Sequence, residues 1–558
     1  MRSNERHQRI GIGRSTGLAG LLVVFLSVAH AQAETEKWAP ANCATYIQVV
    51  KPRETSEQWN TTSIGKMWSS TAMDAFHKER RQGPDGLLLD FWNVLQTSTT
   101  NEMAWVVSGT TSQQAVPGIV VHFPEDSDKD AIVRSVRDSL VQKGDSWNAT
   151  ETSIDLSTEN NRRLKIQILD QIWIASPSND VINEFIQAHN AESLANSPAF
   201  SKIQSKFELP SDEPHVFCYA SPMRHLELHD AANSATAESD VAIATKRGYS
   251  EIDSISVLIS VDASSSSLWA DMFIHVPGKK RDVLELFRFG ADFKGSVPIL
   301  SEGASAVLAG AWKVPAAFRY MGPLFDETYA DGIEGTFDDV LLDIKAEDGL
   351  GIDLVERVAS LGPEANLTLR PMDDRMDWMV TATAHKDAKA KETMQLLFDG
   401  DPQMKITEHD NGSMSWQLAS PDDPLDGLTA MLRGDQFSLS SSPEAVFPLV
   451  SATSQHSNPS TTRLEQLTKL DEGETSLKGI GNAAAFVRTG WTQLKEDQPT
   501  DEFSWLRFWG LKDQDTVYQR LPSFDQVAKH FNIVVLQASD TSDGWRIRVA
   551  HQTEGDTP

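Results

Sequence analysis

The chain has 558 residues, 40% of them hydrophobic and 23% charged, a globular balance that excludes wholesale disorder and gives room for two to four domains. Its formal net charge of −29 excludes nucleic acid and anionic membrane as partners for the surface as a whole.

Residues 1–33 read as a secretion signal. Arg2, Arg6, Arg9 and Arg14 form its basic region, and residues 18–28 form an apolar stretch too short to span a bilayer as a helix. Ala31-Gln32-Ala33 is the expected cleavage site, with Ala29-His30-Ala31 as competitor and an uncleaved anchor as the alternative outcome. Cleavage removes four Arg and one Glu, a net +3, and leaves −29 − 3 = −32. Cys43 lacks a preceding lipobox, and no later stretch approaches transmembrane length. The expected location is therefore the periplasm, the cell envelope or the medium, with no stable transmembrane anchor after cleavage. Export also permits a disulfide. Cys43 and Cys218 are the only two cysteines, and a bridge between them and two buried thiols both fit the pattern.

The first strand is expected within residues 38–50, followed by helical segments over 59–76 and 87–95. Strands at 103–108 and 118–123 precede an amphipathic helix over 128–143 carrying Ile132, Val133, Val136 and Leu140 on one side. Three strands follow, at 153–157, 164–169 and 171–175. Ser176-Pro177 is expected to cap a helix with Val181, Ile182, Phe185 and Ile186 in one stripe, and Ser197-Pro198 to open another with Phe200, Ile203 and Phe207. A strand at 215–220, a polar stretch at 230–240 and an antiparallel pair at 254–261 and 268–276 close the first half.

The same order returns. Strands are expected at 304–311, 366–369, 378–384, 414–418, 428–432, 437–440, 482–487, 533–538 and 545–550, with helices at 314–325, 350–362 and 387–398. Asp435-Gln-Phe-Ser-Leu echoes Asp170-Gln-Ile-Trp-Ile, with Ser442-Pro443 as the later cap and Val446, Phe447 and Val450 as its stripe. The offsets are 265 between the aspartates, 267 between His215 and Asn482, and 277 between Ser256 and Ile533. A polar segment, 451–481, interrupts the second copy with a short helix at 463–470. The expected fold is α+β. It has two similar lobes from an internal duplication, each a mainly antiparallel sheet with helices on one face, over residues 34–280 and 301–556 and joined by a connector at 281–300.

Three segments carry a family likeness: Ala39-Pro-Ala-Asn-Cys-Ala-Thr-Tyr-Ile-Gln-Val, Leu194-Ala-Asn-Ser-Pro-Ala-Phe and Gly349-Leu-Gly-Ile-Asp-Leu. In these the chain resembles a group of exported bacterial proteins catalogued as a domain of unknown function. The resemblance implies an envelope location and a non-catalytic character, and it assigns no site residues.

The metal-ligand candidate is His225, Glu227 and His229, one-sided on a strand, with the histidines one turn apart on a helix. The alternative is a solvated polar face. Glu408-His409-Asp410 before Asn411-Gly412 reads as a polar hairpin turn, and neither Asp338-Asp339 nor Asp373-Asp374 has a calcium loop around it. G-x-S-x-G, H-E-x-x-H, P-loop and dinucleotide fingerprints are all missing, and no cofactor is expected. Of the 15 tryptophans, Trp68, Trp92, Trp105, Trp173 and Trp378 lie on expected core faces. The sequence thus points to an exported, non-enzymatic binding or scaffold module whose partner is an unknown ligand or envelope protein. The alternatives are a hydrolase with a scattered site in an inter-lobe cleft and a metal-binding protein using His225 and His229.

Overall fold

The structure is a computed structural model. It describes residues 34–83, 86–108, 116–142, 144–207, 213–232, 239–262, 266–290, 293, 304–329, 333–346, 349–371, 376–384, 389–398, 401–410, 412–420, 426–445, 475–495 and 518–551. The expected signal segment, the expected stripe at Val446, Phe447 and Val450, the helix expected at 463–470 and Asp373-Asp374 lie outside the described residues.

The fold is mixed α+β around one large antiparallel sheet. Its strands are β1 (Thr45–Val50), β2 (Glu102–Ser108), β3 (Val116–His122), β4 (Ser146–Ala149), β5 (Ser153–Ser157), β6 (Arg163–Leu169), β7 (Ile172–Ser176), β8 (His215–Ala220), β9 (Ser254–Asp262) and β10 (Ser267–His275). They continue with β11 (Ala306–Gly310), β12 (Leu361–Pro371), β13 (Met376–Ala384), β14 (Met404–Glu408), β15 (Met414–Leu418), β16 (Thr429–Arg433), β17 (Gln436–Ser440), β18 (Leu477–Asn482), β19 (Ile533–Thr541) and β20 (Gly544–His551).

One arm pairs in the order β4-β5-β6-β7-β3-β2-β1-β8-β9-β10. β10 then pairs antiparallel with β20, so the sheet passes unbroken into the other arm. That arm runs β20-β19-β18-β11-β12-β13-β17-β16-β15-β14. Read outward from the β10–β20 pair, both arms keep one order, each strand of the second numbered ten above its counterpart. The turns correspond too. Asp170 (φ +54°) opens the two-residue link between β6 and β7, and Gly434 (φ +60°) opens that between β16 and β17. The geometric partner of Asp170 is thus Gly434, one residue before the sequence echo at Asp435. Among the described residues β4 and β14 pair on one side only, and both are short and largely exposed.

Period-two alternation gives the first arm two buried faces rather than one. Ala104, Val106, Val120, Ile174 and Phe217 face helices Asn179–Asn190 and Pro198–Gln204, which supply Val181, Phe185, Phe200 and Ile203. Met103, Ile119, Val121 and Trp173 point the other way, onto helices Gly86–Gln96 and Lys129–Leu140. The expectation of helices on one face is corrected accordingly. Gly118 in β3 has a steric reason: a Cβ there would lie 2.8 Å from the Phe185 ring.

Several local expectations also change. Residues 482–487 are not a strand: β18 ends at Asn482, and Ala483–Lys495 is a helix, as its alanines favour. The helix expected over 350–362 is only Leu354–Ala359, and Gly362 lies inside β12 instead of ending a helix. Ser178, not Ser176, caps helix Asn179–Asn190; the Ser176 hydroxyl donates to the Pro117 carbonyl at 3.0 Å. Ser197 does cap helix Pro198–Gln204, accepting from Phe200 N. Trp68 is 39% exposed rather than core, its ring meeting His77 edge-on. Cys43 and Cys218 are both free and buried, and burial pushes each thiol up to about 12.

Candidate functional site

The β1–β2 connection folds into four helices, Pro52–Trp59, Ser63–Trp68, Asp74–Gln82 and Gly86–Gln96. Met73 and Phe76 fix the third of them against Leu521, with Trp491 and Tyr518 packed alongside, so the second half of the chain holds this wall in place. Its outer face carries His77, Lys78, Arg80 and Arg81. Between it, helix Gly86–Gln96, helix Lys129–Leu140 and Arg162 in the β5–β6 turn lies a groove of about 780 Å3. A smaller hollow of about 230 Å3 adjoins it and shares His77, Arg81 and Asn93.

The groove is basic on a strongly acidic protein. Lys78, Arg81 and Arg162 line it against Asp74 and Asp90, and Arg80 adds a cation in the adjoining hollow. Arg81 Nε is 3.4 Å from Asp90 Oδ1, and Arg162 Nη1 donates to the Arg81 carbonyl at 2.6 Å. Gly86 makes that approach possible, since a Cβ there would lie 1.8 Å from the Arg81 carbonyl oxygen and 2.8 Å from Arg162 Nη1. Burial raises the Asp90 pKa, and Arg81 and Arg162 oppose the shift. His77 Nε2 donates to the Trp68 carbonyl oxygen at 2.7 Å. Planar guanidinium groups and an ammonium around a polar hollow can bind and orient an anion.

His225, Glu227 and His229 share helix Pro222–Ala232, which settles the choice between strand and helix. His225 Nε2 lies 2.7 Å from Thr45 Oγ1. Burial lowers its pKa to about 4, with a hydrogen bond to the Ala44 backbone opposing. Glu227 accepts from Arg224 at 2.7 Å. The His229 side chain lies outside the described residues. Among the described residues no three His, Cys, Asp or Glu side chains converge as a metal site. With His225 engaged by Thr45, His225→Ala is expected to leave zinc uptake in equilibrium dialysis unchanged; loss of one equivalent would make His225 a ligand. His409, in the β14–β15 hairpin, lies 2.9 Å from Ser415 Oγ through Nε2. Trp312, Trp491 and Trp545 each donate to a backbone carbonyl, of Leu286, Pro522 and Phe287. Charge counting over the whole chain hid the groove; the run His77-Lys78-Glu79-Arg80-Arg81 was the signal for it.

No family model matches this chain, and no curated protein matches it. Solved structures of TP0453 in crystal forms III and I align with 48% of this chain and 91% and 90% of theirs, at 7% and 9% identity, with TM-scores of 0.27 and 0.26. Likeness at that level carries no functional argument. Among the described residues no helix is long and apolar enough to cross a membrane.

Proposed function

We propose that this protein is an exported, non-enzymatic binding module of the cell envelope, made by internal duplication of one α+β unit, whose first copy takes an anionic ligand. The observation that carries the binding reading is the convergence of Lys78, Arg81 and Arg162 on one groove in a chain of net charge −29. The matching strand order of the two arms and the left-handed turns at Asp170 and Gly434 support duplication. The copies differ where a ligand site would diverge. The β11–β12 connection presents Asp338, Asp339 and Asp343 on helix Thr336–Lys345, where the β1–β2 connection presents its basic run. Export rests on the basic and apolar pattern of residues 1–33, and membership of the exported family rests on the three segments that resemble it.

Titration with tripolyphosphate at low ionic strength tests the groove. Saturable binding is expected, weakening as salt rises, and Lys78→Glu with Arg81→Glu should reduce affinity at least about tenfold, the worth of one charge-assisted hydrogen bond. Equal binding by parent and variant, or no saturation at all, would refute the reading.

A further inference from the structure

We propose that residues 34–44 form a proton-gated strap: with Glu36 protonated they close over the first arm of the sheet, and loss of that proton releases them.

The strap is tied at every step to elements far along the chain. Thr35 N donates to Glu102 Oε1 at 2.5 Å, and Thr35 Oγ1 meets the Tyr46 hydroxyl at 2.8 Å. Gln204, at the end of helix Pro198–Gln204, donates to Glu36 Oε1. Trp38 stacks on His189 of helix Asn179–Asn190, ring centroids 3.9 Å apart. Leu194 N donates to the Ala39 carbonyl at 2.7 Å, and Ala41 N donates to the Glu192 carbonyl. One short segment thus fastens both helices of that layer to β1 and β2.

At its centre a carboxyl group is sealed from water. Glu36 is 1% exposed, and its Oε2 has no hydrogen-bond partner among the described residues. An ionised carboxylate there would lack both solvent and, among the described residues, a cation in ion-pair contact. Glu102, 7% exposed, faces it from β2 and takes N–H donors on both oxygens, from Thr35 and from Gln48 at 3.1 Å. That division makes Glu36 the proton holder of the pair. Of the surrounding cations only Lys37 acts on Glu36, as the weakest of the influences on it. Lys37 is drawn outward to Glu34 at 2.7 Å, and Lys202 and Lys206 reach Asp543 at 3.7 and 2.7 Å. His122 on β3 acts on Glu102, Tyr46 is held by Thr35, and Cys43, its pKa raised by burial and then by the charge of Glu184, stays a thiol. Burial, then repulsion from Glu102, raises the Glu36 pKa to about 8, with Gln204 and Lys37 opposing.

The sign follows from linkage. A carboxyl that holds its proton more tightly when closed than when open favours the closed form fully below the open-state value of 4.5. That advantage is lost as pH rises to about 8. The open fraction therefore rises about tenfold per pH unit between those limits and levels off above them.

Hydrogen exchange of residues 34–44 in the full chain, as the ratio of parent to Glu36→Gln at each pH, cancels the intrinsic pH dependence of exchange. The ratio is expected to climb about tenfold per pH unit from pH 5 to 8 and then flatten. Glu102→Gln should leave a rise that ends at lower pH, because the repulsion is gone. A flat ratio overturns the proposal, and so does a pH response abolished by Glu102→Gln but kept by Glu36→Gln. Should Glu36→Gln fail to fold, infrared titration of the parent decides. A protonated-carboxyl band persisting at pH 7 and fading near pH 8 supports the strap, and its absence at pH 6 overturns it.

Discussion

Phe200→Ala is expected to destabilise the protein by about 3–5 kcal/mol, read as a lower urea midpoint with an unchanged slope. Phe200 is fully buried where helix Pro198–Gln204 meets the sheet. Its ring lies edge-on to Tyr46, Phe217 and Tyr219, with centroids 5.8, 5.9 and 5.2 Å away. Removing it opens a cavity between the helix and the face of β1 and β8, whose backbones are fixed by their ladder and cannot collapse to fill it. Phe200→Leu, which keeps most of the volume, should cost less than half as much. Equal losses for the two variants would show that the ring contacts, and not the volume, carry the stability.

Lys280→Ala is expected to cost about 3–5 kcal/mol, the range for breaking a buried ion pair on one side. The Lys280 side chain is 7% exposed and that of Asp540 13%. The ammonium donates to Asp540, to the Thr541 carbonyl at 3.1 Å and to the Gly544 carbonyl at 2.9 Å, and it lies 4.3 Å above the Trp545 ring. Asp540 Oδ2 also accepts from Phe289 N at 3.0 Å, so one lysine couples the linking segment to the last hairpin. Truncation strands the Asp540 charge. Lys280→Met with Asp540→Asn should recover more than half of the loss, since neutralising both partners removes the stranded charge. A double variant as unstable as the single one would place the cost in packing around Trp545 instead.

Much of this architecture was legible because burial writes itself as period. The unbroken apolar run Met103, Ala104, Trp105 and Val106, and the stripe Val181, Ile182 and Phe185, mark strand and helix without any contact information. What escaped has physical causes. Among the described residues β4 and β14 lie at the ends of the sheet, where little is buried and alternation loses meaning. β18 hides in Leu477-Lys-Gly-Ile-Gly-Asn because Gly479 gives up its side chain to Leu308, whose Cδ2 would lie 2.3 Å from a Cβ. The alanines after it looked like the strand for the same reason. The joining of the arms through β10 and β20 depends on a pairing between strands nearly 280 residues apart, as in Asp271 with Arg548, and no local pattern encodes it. The groove draws on residues from Asp74 to Arg162, and only its longest basic run is contiguous.

An unclosed ribbon of strands is a template, since either end offers unsatisfied amides and carbonyls to the next molecule. Among the described residues each end is a strand of four or five residues, exposing Ser146 and Asn148 at one tip and Lys405, Glu408 and one apolar side chain, Ile406, at the other. A second molecule arriving at either tip finds few rungs to bind and charged or amide side chains in the way. Short ends of this kind disfavour strand addition by a second molecule, the route by which open sheets propagate into fibres.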